Sequence, residues 1–338
     1  MSAQAKLQLK KDVAPFEKSN LRSSIWQICN TIIPFFLLWY FAYASLGVSY
    51  WLTLGLSIAA SGFLIRTFIL FHDCCHYSFF KSRLANEILG TLTGILTFFP
   101  YHKWKHEHAI HHATSGNLSK RGTGDVWILT VDEYRASPVL TKLAYRLYRN
   151  PLVMFGLGPF YIFIIANRFN KKKAKLKERL NTYLTNAAVI GIPLLLCFTI
   201  GWQPFLLIHG PIFFISGAAG VWLFYVQHQF EDTYFVKEQE WSFVSAAVEG
   251  SSYYKLPGWL QWLTGNIGFH HVHHLSPKVP NYYLEAAHDH TPALQKATTI
   301  NIAASLHTFR YRLWDEKNVK FVNFKEAARS GSADQQYQ

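Results

Sequence analysis

The sequence predicts an all-α integral membrane protein, with four transmembrane helices in two hairpins and a cytoplasmic helical cap that carries clustered histidines. Three observations predict it. Of 338 residues, 50% are hydrophobic, 17% aromatic and only 16% charged, an apolar balance for a soluble protein. Two stretches contain no Asp, Glu, Lys or Arg: 43 residues from Ser23 to Ile65 and 51 from Leu180 to Phe230. Most of the 16 histidines lie in a few tight groups outside those stretches or at their ends.

As a single helix, each charge-free run would be roughly 65 to 75 Å long, about twice the hydrocarbon thickness of a bilayer. Each must therefore cross, turn and return. The segments SLGVS at 45–49 and GWQP at 201–204 supply the Gly, Ser and Pro that break helices. Spans are expected at about 25–45, 50–71, 183–200 and 204–226. Two further apolar stretches, Ile88 to Tyr101 and Leu152 to Ala166, are shorter than the roughly 18 residues of a span and read as interfacial or buried. Parity agrees, because a single extra crossing would put the histidines before and after it on opposite faces of the membrane.

Neither hairpin tip carries a positive charge, whereas the N-terminal tail (Lys6, Lys10, Lys11, Lys18, Arg22), the middle segment and the C-terminal segment hold nearly all of them. Both termini are therefore expected in the cytoplasm, in the cell membrane's positive-inside sense. This topology, with attraction to anionic lipid, accounts for the formal charge of +13 without a nucleic-acid partner. The first apolar run follows about two dozen polar residues and lacks a small-residue cleavage site, so it is expected to stay as an anchor. Cys29, Cys74, Cys75 and Cys197 form no CxxC pair and are expected to be reduced. The expected layout is a cytoplasmic tail over 1–22, one integral domain over 23–320 with its cap at 72–180 and 228–320, and a tail over 321–338 that is disordered at its end.

The histidine spacing carries the chemistry. His72 and His76 in HDCCH stand at i, i+4 where the second span ends. His108, His111 and His112, and again His270, His273 and His274, stand at i, i+3, i+4, so one geometry occurs twice. With His228 at the end of the fourth span they make nine imidazoles at one depth. Four ligands satisfy a zinc ion, whereas nine suit two metals with four or five nitrogens each, and an open position on each ion points to iron and dioxygen. His102, His106 and His271 fall outside the repeat and read as supporting or structural, and His209 and His307 as lone histidines. A zinc protease helix would need HExxH, but position 110 is Ile. A metal transporter would place ligands midway through its spans, which here hold only His209.

Asp73, Glu107, Asp125, Glu231 and Asp232 are candidates to accept the second ring N–H of a ligating histidine and so fix its tautomer, with a capping or solvated carboxylate as the competing role. Asn266, four residues before His270, is placed to hold a metal-bound water. Trp104, Trp127, Trp222 and Tyr225 are candidates to line an apolar channel, with an interfacial aromatic belt as the competing role. The run Asn167 to Arg179, with Arg168, Lys171, Lys172, Lys173, Lys175, Lys177 and Arg179, either contacts lipid headgroups or steers an acidic partner.

HDCCH, HAIHH and HHVHH at these spacings, with a membrane hairpin on either side of the second, resemble the membrane fatty acid desaturase family over residues 20 to 315. The contexts RGTGDVWILT, VWLFYVQHQFEDTYF and NIGFHHVHHLSPKVPNYYL are similar to the Bacillus-type acyl-lipid branch that introduces a Δ5 double bond. The resemblance implies that the nine histidines hold a non-haem di-iron centre (two Fe2+). It also implies O2-dependent desaturation of phospholipid acyl chains for membrane fluidity, with a separate ferredoxin or flavodoxin as donor. No GxGxxG fingerprint supplies a dinucleotide site within the chain. A membrane di-iron acyl hydroxylase shares the same motifs and is the alternative. One departure stands out: where acyl-CoA desaturases place an Asn one turn before the fourth-span histidine, this chain has Phe224.

Overall fold

The computed structural model describes residues 3–334. A lysine-rich helix, α1 (Ala3–Val13), leads to the first hairpin, α2 (Leu21–Ala44) and α3 (Tyr50–His76). Asn20 caps α2 by accepting from Ser23 N at 3.1 Å, and the turn at Ser45–Gly47 is held by a 2.8 Å bond between the Ser45 and Thr53 hydroxyls. Helices α4 (Arg83–Leu96), α5 (Tyr101–Thr114), α6 (Val131–Ala136) and α7 (Val139–Tyr148) and the helical segment α8 (Leu152–Arg168) fill the space between the hairpins. The second hairpin is α9 (Leu176–Ile200) and α10 (Trp202–His228), which reverse at Gly201 with φ of 95°.

Four helices, α2, α3, α9 and α10, are long and apolar enough to cross a membrane. Their outward faces carry exposed Trp26, Phe41, Trp51, Ile190 and Phe198, as contact with lipid requires. The helices run past the expected spans because the same rods continue into the cap, where α3 and α10 each end on a histidine. The two shorter apolar stretches do not form straight spans: α4 and α5 are broken at Phe98, and α7 and α8 bend by 67°.

After α10 the chain forms short elements: α11 (Phe243–Val248), α12 (Gly258–Leu263), α13 (His270–Leu275), α14 (Leu284–His290) and α15 (Ile302–His307). Two-residue strands β1 (Tyr253–Tyr254) and β2 (Thr299–Ile300) pair in parallel beside α13, and β3 (Leu313–Asp315) pairs antiparallel with β4 (Lys320–Val322) before α16 (Phe324–Asp334). Both tails pack onto the rest of the chain. In α1, Leu9 and Val13 pack on Val248, Val272 and Leu275, sealing one side of α13. Residues 320–334 form strand and helix, with Phe324 packed against Tyr134 and Tyr145, and the expected disorder at the extreme end falls outside the described residues.

Candidate metal centre

The last turn of α3 presents His72 and His76, α5 presents His108, His111 and His112, α10 ends on His228, and α13 presents His270, His273 and His274. Eight of the nine are buried and His76 is half-buried. They form two groups. In the first, the ligand atoms of His72, His76, His108, His112 and His273 all lie within 4.8 Å of one another. In the second, the same holds for His111, His228 and His274, with His270 Nε2 3.0 Å from His228 Nε2.

Within the first group the Nε2 atoms of His72 and His108, and of His108 and His112, are 3.0 Å apart, and those of His112 and His273 2.9 Å. In the second, His111 and His228 Nε2 are 3.2 Å apart. A neutral imidazole carries one N–H, so a ring whose Nε2 meets two other Nε2 atoms leaves lone pairs facing each other. His76 Nε2 and His274 Nε2 are buried without any hydrogen-bond partner. Burial and the neighbouring imidazoles hold His108, His112, His270, His273 and His274 well below the usual histidine range, so their nitrogens stay uncharged donors. Such a convergence of buried lone pairs is what a cation relieves, and the donor set fits two metal ions.

The outer hydrogen bonds of these rings come from separate parts of the chain. His111 Nδ1 donates to Asp125 Oδ1 at 2.6 Å, which aims its Nε2 at the centre. Burial pushes the Asp125 carboxyl up, but His111 and the Gly122 N–H outweigh it, leaving Asp125 below the usual carboxylate range. The loop reaches α5 this closely because Gly124, with φ of 79°, has no side chain: a Cβ there would stand 3.1 Å from His111 Cβ. His228 Nδ1 donates to Gly250 O at 3.2 Å. Asp73 lies 3.5 Å from His72 Nδ1, and its other oxygen accepts from Asn281 N and Nδ2 at 2.7 and 2.8 Å.

The other supporting candidates lie elsewhere. Glu107 meets Lys171 at 3.2 Å, Glu231 and Asp232 are exposed, and the Asn266 amide donates to Asn281 O at 3.3 Å from a left-handed backbone position. His102 packs on Tyr101, exposed His106 stands 3.5 Å from Glu178, and His271 pairs with His288 at 3.0 Å. The four aromatic candidates divide. Trp104 stacks on His108, with centroids 4.1 Å apart, and joins Phe68, Phe71 and Phe99. Trp222 and Tyr225 stand in the last turns of α10 and Trp127 in the loop before α6, among Tyr145, Tyr148, Phe155 and Phe309.

The family model described as fatty acid desaturase matches residues 48–300, which hold all nine histidines. The chain belongs to the fatty acid desaturase family. It is 63% identical to a fatty acid desaturase of Bacillus subtilis (strain 168), over 94% of this chain and 90% of that one. An omega-6 fatty acid desaturase of Arabidopsis chloroplasts is 30% identical over 71% of this chain, although the match spans only 53% of the plant protein. The sn-1 oleoyl-lipid 12-desaturase of Synechocystis is 28% identical over 67% of this chain and 64% of its own. In this desaturase Phe224 packs its ring 5.2 Å from those of both His111 and His228, so an apolar side chain occupies the position one turn before His228.

Proposed function

We propose that this desaturase uses dioxygen to introduce a cis double bond into the acyl chain of a membrane phospholipid, at Δ5 by its likeness to the Bacillus-type branch. His72, His76, His108, His112 and His273 would hold one iron and His111, His228, His270 and His274 the other. The observation that carries this reading is the separation of the nine imidazoles into a compact set of five and a compact set of three with His270 Nε2 3.0 Å from His228 Nε2. Two non-haem iron ions bound there supply the oxidising power that no side chain has. Asp125 and Gly250 O hold the proton on the outer nitrogen of His111 and His228, and Phe224 and Trp104 keep water from the rings they cover.

The electron balance names a partner class. Conversion of CH2–CH2 to CH=CH gives two protons and two electrons, and reduction of one O2 to two waters takes four of each. Two electrons come from a one-electron carrier, for which ferredoxin or flavodoxin is the class proposed, and two protons come from water. Lys172, Lys173 and Lys175 are exposed and make no ion pair among the described residues, as a steering surface for an acidic carrier requires. The lysine and arginine distribution supports a cytoplasmic cap and cytoplasmic termini in the cell membrane.

Purified, iron-loaded protein in vesicles of saturated phosphatidylglycerol, supplied with reduced ferredoxin and O2, is expected to form one double bond per O2 consumed. Formation of a hydroxy acid would replace this reading with the hydroxylase, and O2 consumption without lipid oxidation would contradict both.

A further inference from the structure

Arg149, the residue after α7, is only 1% exposed, yet two of its three guanidinium nitrogens have no partner. Nη2 donates to Tyr311 O at 2.6 Å and to Gln229 Oε1 at 3.2 Å, while Nε and Nη1 are buried and unpaired, and no carboxylate among the described residues forms an ion pair with it. The face of Tyr225, 5.5 Å from the guanidinium carbon, is a weak substitute for an anion. Half-buried Arg312 lies in the same place and its side chain has no hydrogen bond or ion pair among the described residues. Burial lowers the Arg312 pKa, against a smaller opposing effect of Tyr225, and the charge of Arg149 adds to the lowering. A buried cation beside a half-buried one, neither with a counterion, is costly unless a ligand supplies the charge.

Placement and walls indicate which ligand. Helix α7 turns Val139, Leu140, Leu143 and Leu147 outward, exposed, as a helix lying along a bilayer surface would, with Arg149 buried at its end. Tyr148, whose Oη accepts from Trp127 N at 3.2 Å and keeps its own proton to donate, adds a third donor. Gln229 follows His228 directly, and Tyr225 stands one turn before it. We propose that Arg149 and Arg312 form a phosphodiester-binding site for the polar end of the acyl lipid, fixing which carbon of the chain reaches the histidines. The register argument rests on the desaturase reading, whereas the phosphate site stands without it.

The test measures binding in metal-free protein in uncharged detergent, with dimyristoyl phosphatidylglycerol as probe, dimyristoylglycerol as the phosphate-free control and inorganic phosphate as the free-anion control. Wild type is expected to prefer phosphatidylglycerol, and Arg149→Gln to weaken that binding by at least about tenfold while leaving dimyristoylglycerol binding unchanged. Arg149→Lys, which keeps the charge, should fall between them. Arg312→Gln gives the same reading should Arg149→Gln fail to fold. In the iron-loaded enzyme, Arg149→Gln should spread the double bond over neighbouring positions at unchanged iron content. Equal affinity of wild type for the two lipids, or of Arg149→Gln and wild type for phosphatidylglycerol, would overturn the proposal, and inorganic phosphate binding as tightly as the lipid would reassign the site to a free anion. Because binding is read without metal, absence of any double bond would sink the desaturase reading alone.

Discussion

His111 Nδ1 lies 2.6 Å from Asp125 Oδ1, the closest link between an imidazole of the second group and a carboxylate. The bond fixes which nitrogen of His111 carries the proton. Asp125→Asn removes the charge that holds this tautomer, and metal affinity at the His111, His228, His270, His274 group is expected to fall about 10- to 100-fold. Iron titration with the first group as internal reference checks this. Unchanged affinity would show that Asp125 does no more than pin the loop.

Adjacent histidines in α13 should behave differently. His273 Nε2 is 2.9 Å from His112 Nε2, whereas His271 Nε2 pairs with His288 Nδ1 at 3.0 Å, away from both groups. His273→Gln is expected to lose iron from the first group, and His271→Gln to keep full iron while unfolding at lower temperature. Metal analysis beside a thermal melt separates the two. Equal iron loss in both variants would contradict the assignment.

These contrasts show what spacing makes legible. The i, i+3, i+4 repeat puts three imidazoles on one helix face wherever the helix lies, and a charge-free run longer than a bilayer must fold back, so the spans and the nine histidines were visible in the sequence. Contacts across the fold were not. Glu107 precedes His108, but neighbours in a helix point in different directions, so it meets Lys171, whereas Asp125 arrives from a loop 14 residues beyond His111. The buried role of α1 was hidden because two apolar residues among lysines suffice once α13 provides a surface. Arg149 gave no periodic signal at all, and only the fold shows that its Nη2 finds Tyr311 O and Gln229 Oε1 while Nε and Nη1 find no partner.

The metal-free protein should be acid-sensitive. His271 is pushed down to about 3 by burial, then by His288, and burial also lowers His270, His273 and His274. The folded state then refuses protons that the unfolded chain accepts below its ordinary value of 6.5, so stability is unaffected above that pH and falls as pH drops from 6.5 toward 3. Denaturation midpoints of metal-free protein across this window check the sign. Stability that stays flat or rises on acidification would contradict it.

Gly265 has φ of 56°, and a Cβ there would stand 2.8 Å from Ile69 Cγ2 on α3. Gly265→Ala is expected to cost about 1–3 kcal/mol and to loosen α13 from α3, whereas Asn266→Gly, at the next left-handed position, should be tolerated. Denaturation of both variants in detergent compares them. An Ala variant as stable as wild type would show that α3 yields at Ile69.

The most direct measurement is gas chromatography with mass spectrometry of membrane fatty acids, with double-bond position assigned, from cells expressing wild type or His273→Ala at matched levels of membrane-inserted, folded protein and with reduced ferredoxin supplied. A new monounsaturated acid, with one dominant bond position and present only with wild type, is the predicted result. The same new acid in both strains, or an unchanged profile with iron-loaded wild type, would contradict a histidine-held di-iron desaturase.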